Sequence, residues 1–195
     1  ETPTLLIDMD PQANASIGVG IEVNTNKGSI YEVLINQKKI DTCIQKTEIE
    51  YLDIVPSSSK LAGAEIELVS MFTRESVLKE AINNIHGKYK YIIIDSPPSL
   101  GLLTVNIFTA VDSLIIPIQC EYYALEGLSQ LLNTVRLIQN NLNPTLEIEG
   151  VLITMYDSRL NLSKQVVSEV KQYFGNKVYN TLIHRNVKLG ESPSF

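Results

Sequence analysis

Cysteine is scarce in this sequence: Cys43 and Cys120 stand far apart and in no paired spacing. A disulfide framework or a zinc site is therefore not expected, and a reducing intracellular compartment fits this usage. Long apolar runs are also missing, since none approaches the roughly 18 residues of a membrane span, and no signal peptide is visible. We therefore expect a cytoplasmic protein that does not enter a membrane.

The chain also lacks an excess of positive charge, since its formal net charge is −6 and its pI is about 5.0. This excludes a surface that binds nucleic acid over its whole extent. The charge is uneven, because residues 157–195 hold six Lys or Arg against three acids, a net of +3, whereas residues 1–156 carry −9. The basic segment could meet a polyanion locally, although ordinary solvated Lys and Arg on helix faces are the simpler explanation.

A third absence concerns glycine. The sequence has ten glycines, and none stands in the pattern Gly-x-x-x-x-Gly-Lys-Ser/Thr, which wraps backbone N–H groups around a phosphate. The chain as it stands is therefore expected to bind a nucleotide poorly or not at all. It does not begin with Met and opens almost directly on a strand-like run, so we expect that residues upstream are missing from it.

Short apolar runs alternate with amphipathic segments along the chain. Several runs are almost continuously apolar, which is typical of strands buried on both faces of a parallel sheet. The predicted strands are 4–8, 51–55, 89–95, 113–118, 148–155 and 178–183. Strands that alternate with helices predict an α/β fold, here a single domain over residues 1–195 whose mostly parallel sheet carries helices on both faces.

Two segments have apolar residues at the i, i+3, i+4 spacing of a helix face. In residues 125–142 seven such residues share one face, and in residues 163–174 four do. The first segment is followed by an Asn-Pro pair, which ends a helix, and the second by Gly175, a candidate C-cap. Weaker patterns predict helices over residues 59–70 and 73–86.

The first predicted strand ends in two acids, within the sequence Asp-Met-Asp-Pro-Gln-Ala-Asn that starts at Asp8. Ligands of parallel sheets bind at the carboxyl ends of strands, so these acids are candidates for chemistry. Asp8 and Asp10 are two residues apart and would share a face of an extended segment, while Pro11 prevents simple continuation of the strand. A polar turn whose aspartates accept hydrogen bonds is the structural alternative.

The third predicted strand also ends in an acid, because four apolar or aromatic residues lead into Asp95, which is the Walker B pattern. A carboxylate there can hold Mg²⁺ directly or through water, since Mg²⁺ keeps most of its waters and needs few protein carboxylates. An Asp that caps a buried strand is the alternative, and Pro97 and Pro98 stiffen the loop that follows. Two acid-tipped parallel strands in one domain together suit a nucleotide–Mg²⁺ site.

These segments resemble the ParA/Soj family of partition ATPases, which are deviant-Walker P-loop proteins. The similar segments follow the family's order over nearly the whole chain: LLIDMDPQANAS from Leu5, YIIIDSPPSLGLLTVN from Tyr91, IPIQCEYYALEGLSQLL from Ile116, LITMYDSRLNLSKQV from Leu152 and IHRNVKLGESPSF from Ile183. The resemblance implies ATP and Mg²⁺ as cofactors, a homodimer that encloses ATP, and non-specific DNA binding. It also implies hydrolysis stimulated by a ParB-type centromere-binding partner.

The resemblance further implies roles for matching residues. Asp10 is similar to the family's carboxylate that orients the attacking water, and Asp95 to the Walker B acid that holds Mg²⁺. Asp8 and Asn14 would support Mg²⁺ and the region of the nucleophile.

The adenine side and the DNA-contacting side match less closely. Where the family usually has Pro-Arg-Asn along its adenine pocket, this chain has His184 before an Arg and Asn186. The resemblance therefore implies backbone contacts at His184 and a contact from Asn186. The DNA contacts that it implies are Arg185, Lys188, Lys164 and Lys171.

Two other functions remain open from the sequence. A MinD-like regulator at a membrane would need a C-terminal amphipathic helix, whereas Gln12 and the run from Tyr122 to Gly127 favour the partition branch. A binding module of the same fold would not hydrolyse ATP. By the resemblance, the phosphate loop would precede Glu1 and a final helix would follow Phe195, so we expect an incomplete chain with an open sheet edge that aggregates when expressed alone.

Overall fold

The structure is a computed structural model that describes residues 2–22, 27–121 and 124–188, with the backbone alone at 124–126. The chain divides into two compact units, Glu1–Ala110 and Val111–Phe195. The α/β class with mostly parallel sheets is confirmed, and the seven strands of the described ranges fall into two sheets. The prediction of one domain over the whole chain stays a prediction.

The first unit is built on a four-stranded sheet in the order β2-β3-β1-β4. Its strands are β1 (Thr4–Asp8), β2 (Gln45–Lys46), β3 (Leu52–Val55) and β4 (Tyr91–Asp95). Strand β1 runs parallel to β3 and to β4, and the short β2 is antiparallel to β3. The central position of β1 explains its apolar sequence, because Leu5 and Ile7 are fully buried. Edge strand β4 leaves Tyr91 and Ile93 exposed.

Six helices of the described residues surround this sheet. They are α1 (Asn14–Gly18), α2 (Ile30–Leu34), α3 (Ile40–Cys43), α4 (Leu61–Val69), α5 (Val77–Asn83) and α6 (Leu102–Ala110). A capping box begins α2: the Ser29 hydroxyl accepts from Tyr31 N, and Ser29 N donates to the Glu32 carboxylate at 2.8 Å. Buried leucines of α4 and α5, Leu61, Leu68 and Leu78, extend the core.

The second unit has a parallel three-stranded sheet in the order β5-β6-β7. Its elements are β5 (Ser113–Gln119), α7 (Ala124–Asn141), β6 (Glu147–Tyr156), α8 (Asn161–Phe174), a 3₁₀ turn (Gly175–Lys177) and β7 (Val178–His184). Leu128 and Leu132 of α7 and Val166 and Val170 of α8 pack with the sheet in one apolar cluster. The predicted face of α8 is therefore confirmed, and that of α7 is confirmed for its described side chains, whereas Leu142 lies beyond the end of α7 and is exposed.

The structure shifts several predicted boundaries for a local reason. Tyr51 has a φ of 63°, so the strand predicted over 51–55 begins one residue later. Thr73 has a φ of 54°, and the helix predicted over 73–86 begins at Val77 and ends at Asn83. Within the described ranges, no helix is long and apolar enough to cross a bilayer.

Candidate functional site

The acids at the carboxyl ends of β1 and β4 lie side by side. Asp8 pairs with Asp95 in the parallel register, and Met9 N donates to the Asp95 carbonyl at 2.9 Å just beyond it. Asp10 follows in the loop after β1. The two strand ends predicted as a site are therefore neighbours at one edge of one sheet.

Asp8 is fully buried, and its carboxylate accepts hydrogen bonds from residues that follow β1. Oδ1 accepts from Asp10 N at 3.1 Å, while Oδ2 accepts from Ser16 N at 2.7 Å and from the Ser16 hydroxyl at 2.6 Å. Ser16 Oγ in turn accepts from Ser57 N at 3.1 Å, which ties the loop to the segment after β3. This arrangement makes Asp8 the organiser of the loop, and its predicted contact with Mg²⁺ or a nucleotide stays a prediction.

Asp10 is half-buried and lies outside the strand, because β1 ends at Asp8. The strand therefore does not include both acids, and the expectation that they share a face stays a prediction. Asp10 Oδ1 accepts from Gln12 N at 2.9 Å, and its carbonyl accepts from Ala13 N. Ala13, with a φ of 55°, turns the chain into α1, whose first residue, Asn14, is exposed.

Asp95 differs from Asp8 in keeping access to solvent. Partial burial raises the pKa of its carboxyl, and the nearby carboxylates of Asp8 and Asp10 raise it further. The same electrostatics favour a cation beside Asp95, since a cation would offset the repulsion between these acids.

The site does not form a ready-made metal cage. Among the described residues, no group of three His, Cys, Asp or Glu side chains stands ready to hold a metal ion. Mg²⁺ does not need such a cage, because it keeps several waters and binds through one or two carboxylates. Asp95 fits that requirement, whereas the carboxylates of Asp8 and Asp10 already accept hydrogen bonds from nearby backbone amides.

The predicted adenine-side residues lie in the second unit, at the end of β7. His184 is exposed, and its ring meets Tyr156 edge-on with centroids 5.3 Å apart. Asn186 Oδ1 accepts from Lys188 N at 2.9 Å. Arg185 lies 3.6 Å from Glu121 and donates its backbone N–H to the Tyr156 carbonyl. These contacts order residues 184–188.

The predicted DNA contacts are all exposed: Arg185, Lys188, Lys164 and Lys171. Lys164 and Lys171 stand seven residues apart on α8, so they project from the same face two turns apart. The pairing with Glu121 neutralises part of the charge of Arg185. The run Tyr122-Tyr123 and residues 189–195, which carry part of the resemblance, lie outside the described residues.

Sequence reasoning missed the polar residues that hold the acid loops. Ser16 and Ser57 are fully buried, and Ser57 Oγ has no hydrogen-bond partner among the described residues. Glu65 of α4 accepts from Leu103 N at the start of α6. A serine or glutamate in a short helical segment carries no signal of such a role, because its partners are distant in sequence.

Known proteins are similar to this chain over nearly its whole length. A family model described as an AAA domain matches residues 2–148. The sporulation initiation inhibitor protein Soj of Bacillus subtilis is 57% identical over 190 residues, which are 97% of this chain and 75% of that protein. The chromosome partitioning protein ParA of Myxococcus xanthus is 52% identical over 195 residues, 100% of this chain and 69% of that protein.

A similar solved structure is described as cobyrinic acid a,c-diamide synthase from Mycobacterium smegmatis with bound ADP and magnesium. It matches with a TM-score of 0.88 at 35% identity, and the match covers 100% of this chain and 80% of that one.

Proposed function

This chain belongs to the Soj/ParA family of partitioning ATPases, and we propose from that premise that it hydrolyses ATP with Mg²⁺ to drive the partition of DNA. The observation that carries the proposal is the acid cluster at adjacent strand ends, where burial and like charges raise the pKa of Asp95. Parallel α/β sheets bind ligands at this edge, which supports the same location for the nucleotide.

Asp95 is the residue that would hold Mg²⁺, directly or through its waters, and Asp8 is the second carboxylate predicted to support the ion. The ion would neutralise charge on the phosphates during transfer. By the family resemblance Asp10 is the carboxylate that orients the attacking water, and the hydrogen bonds that fix the backbone of its loop support that role. Asp8 organises the same loop, and Asn14 contacts the region of the nucleophile.

The resemblance also supports roles for residues of the second unit. His184 and Asn186 contact the adenine, and the basic residues Lys164, Lys171, Arg185 and Lys188 bind DNA phosphates without regard to sequence. ATP closes a homodimer, and a ParB-type partner stimulates hydrolysis and so releases the DNA. Hydrolysis of this kind acts as a conformational switch, so we expect a slow turnover of ATP. The protein then acts on the nucleoid, in the cytoplasm.

Replacement of Asp10 tests the hydrolytic function. In the full-length protein, Asp10→Ala should lower ATP turnover about 100-fold, the order expected when a group that positions the nucleophile is lost. Binding of a fluorescent ATP analogue should stay within about twofold of wild type, because the group acts in the transition state. Phosphate release and analogue titration measure the two quantities.

The matched control is Asp41→Ala, which removes an exposed acid from the first turn of α3 in the same unit. It should change neither quantity. Equal turnover in the Asp10 and Asp41 variants would remove Asp10 from the mechanism.

The DNA surface has its own test, the dependence of DNA affinity on salt. The double variant of Lys164 and Lys171 to Ala should bind DNA of any sequence more weakly. Its slope of log affinity against log salt should be shallower by about 2, because each lost phosphate contact removes nearly one unit. Lys177→Ala, in the 3₁₀ turn that follows α8, is the control. An unchanged slope in the double variant would show that α8 does not face DNA.

A further inference from the structure

The segment between Asp95 and α6 needs an anchor that the acid itself does not provide. Asp95 ends β4, and α6 begins at Leu102, so six residues connect them. Pro97 and Pro98 stiffen this segment but supply no backbone donors. At its far end the Thr104 hydroxyl donates to the Ser99 carbonyl, which fixes the last turn to α6. The position of the segment therefore depends on where the amino end of α6 is held.

Glu65 of α4 holds that end. Its Oε1 accepts from Leu103 N at 3.3 Å, a long hydrogen bond. The carboxylate of Glu65 also packs tightly against Gly101. A Cβ at Gly101 would collide with Glu65 Oε1 and lie 2.8 Å from Glu65 Cδ. The carboxylate thus rests against the Cα of Gly101, where any side chain would displace it. A negative charge at a helix N-terminus also interacts favourably with the helix dipole.

The body of α6 is fixed independently, so Glu65 acts on its amino end. Asn106 is fully buried, and its Nδ2 donates to the Arg74 carbonyl at 2.7 Å and to the Leu102 carbonyl at 3.0 Å. Its Oδ1 accepts from Leu78 N at 3.2 Å, which joins α6 to α5. These bonds hold the helix without Glu65, so loss of Glu65 should release the preceding segment and not the fold.

The helix that carries Glu65 is linked to the other acid loop. Ser57, four residues before the start of α4, donates its N–H to Ser16 Oγ. Ser16 donates to Asp8, whose carboxylate also receives the Asp10 amide. The backbone that leads from Ser57 into α4 is thus tied to the loop of Asp10 at one end, and Glu65 of α4 contacts the start of α6 at the other.

We propose that Glu65 is a positioning residue for ATP hydrolysis. Its carboxylate packs against Gly101 and so fixes the position of residues 96–101 relative to the loop that contains Asp10. The inference rests on the proposed ATPase function. In this proposal α4 keeps the loop after β1 and the loop after β4 in a fixed relative position, a role that its sequence does not indicate. Positioning errors of about 1 Å can cost two orders of magnitude in rate, so a small movement of this segment is enough to matter.

Four variants of the full-length protein test the proposal. Glu65→Ala removes the carboxylate, and Gly101→Ala displaces it without removing its charge. Both should lower kcat about 10-fold or more while KM stays within about twofold, because ATP binding does not depend on the contact between Glu65 and Gly101. Glu65→Gln keeps an accepting oxygen and should retain most of the rate. The double variant of Glu65 and Gly101 to Ala should be no slower than Glu65→Ala, since the collision partner is gone.

The control is Glu67→Ala on the same helix, where the carboxylate accepts from the Tyr31 hydroxyl at 2.7 Å. It removes an equal charge and should leave kcat unchanged. In an Asp10→Ala background, Glu65→Ala should have no further effect on residual turnover. A purely structural Glu65 would instead lower thermal stability and leave the kcat of the folded fraction at its wild-type value, which would overturn the proposal.

Hydrogen exchange separates this inference from the function on which it rests. Amides of residues 96–105 should exchange faster in Glu65→Ala and Gly101→Ala than in wild type or Glu67→Ala, whether or not ATP is turned over. Unchanged exchange in this segment would overturn the positioning role. Faster exchange with no ATP turnover in wild type would retain the contact and overturn the ATPase function, and with it the catalytic part of the proposal.

Discussion

Strands β1 and β4 are neighbours with nearly the same sequence pattern, and their terminal acids have different surroundings. Leu-Leu-Ile-Asp ends at Asp8 in the centre of the sheet, and Ile-Ile-Ile-Asp ends at Asp95 on its edge strand. Asp8 is fully buried and accepts three hydrogen bonds from its own loop. Asp95 keeps access to solvent, and its pKa is raised by burial and by the other two carboxylates.

Two strand ends of similar sequence therefore differ through the groups that surround them. A buried carboxylate must be satisfied by protein donors, and Asp8 has three of them, so Asp8 is structural. Asp95 is exposed to solvent, so its carboxylate is accessible to a ligand. The pKa of Asp95 is raised by burial and by two nearby carboxylates, and such a shift is typical of functional sites.

Replacement of the buried Asp8 should lower the stability of the protein more than any other change considered below. Asp8→Ala would leave the Ser16 amide, the Ser16 hydroxyl and the Asp10 amide without their acceptor, at a cost of about 3 kcal/mol in the free energy of unfolding. Urea unfolding followed by circular dichroism measures this loss. A variant as stable as wild type would mean that the loop holds itself without Asp8.

Two milder changes calibrate that value. Asp8→Asn keeps one accepting oxygen and should lose less stability than Asp8→Ala. Ser16→Ala removes the hydroxyl that joins Asp8 to Ser57 N, and should cost about 1–2 kcal/mol.

The smallest expected effect has the opposite sign. Asp95→Asn should raise the melting temperature of the nucleotide-free protein at neutral pH by about 1–3 °C, because it removes a charge that burial and like charges oppose. The folded-state pKa of Asp95 lies above its unfolded value, so ionisation of Asp95 costs stability as pH rises through that pKa. The advantage of asparagine should therefore vanish as pH falls through it. Melting curves across pH measure this, and a lower melting temperature at neutral pH would contradict it.

Much of the fold was predictable because its strongest signals are local. The apolar run at β1 and the periodic helix faces of α7 and α8 each lie within one continuous segment. The acids at the strand ends stand out for the same reason, since Asp8 and Asp95 each follow an apolar run directly and Asp10 comes two residues after Asp8.

The remaining features were not predictable because they depend on contacts distant in sequence. Helix α6 is apolar on most sides, and its polar Thr104, Asn106 and Thr109 are buried, so it shows no amphipathic period. Asn106 satisfies its amide on Arg74 and Leu78, and Glu65 meets Gly101, over separations of about 30 residues. The burial of Asp8 likewise depends on Ser16 and on the central place of β1.

The most direct test of the acid cluster is the Mg²⁺ dependence of ATP turnover in the full-length protein. The Mg²⁺ concentration that gives half-maximal turnover should rise about 10-fold or more in Asp95→Asn, because asparagine is a weaker ligand than a carboxylate. The same concentration should not change in Asp41→Asn, which alters an exposed acid on α3. An Asp95→Asn curve that superimposes on that of wild type would contradict the assignment of this strand end to magnesium and ATP.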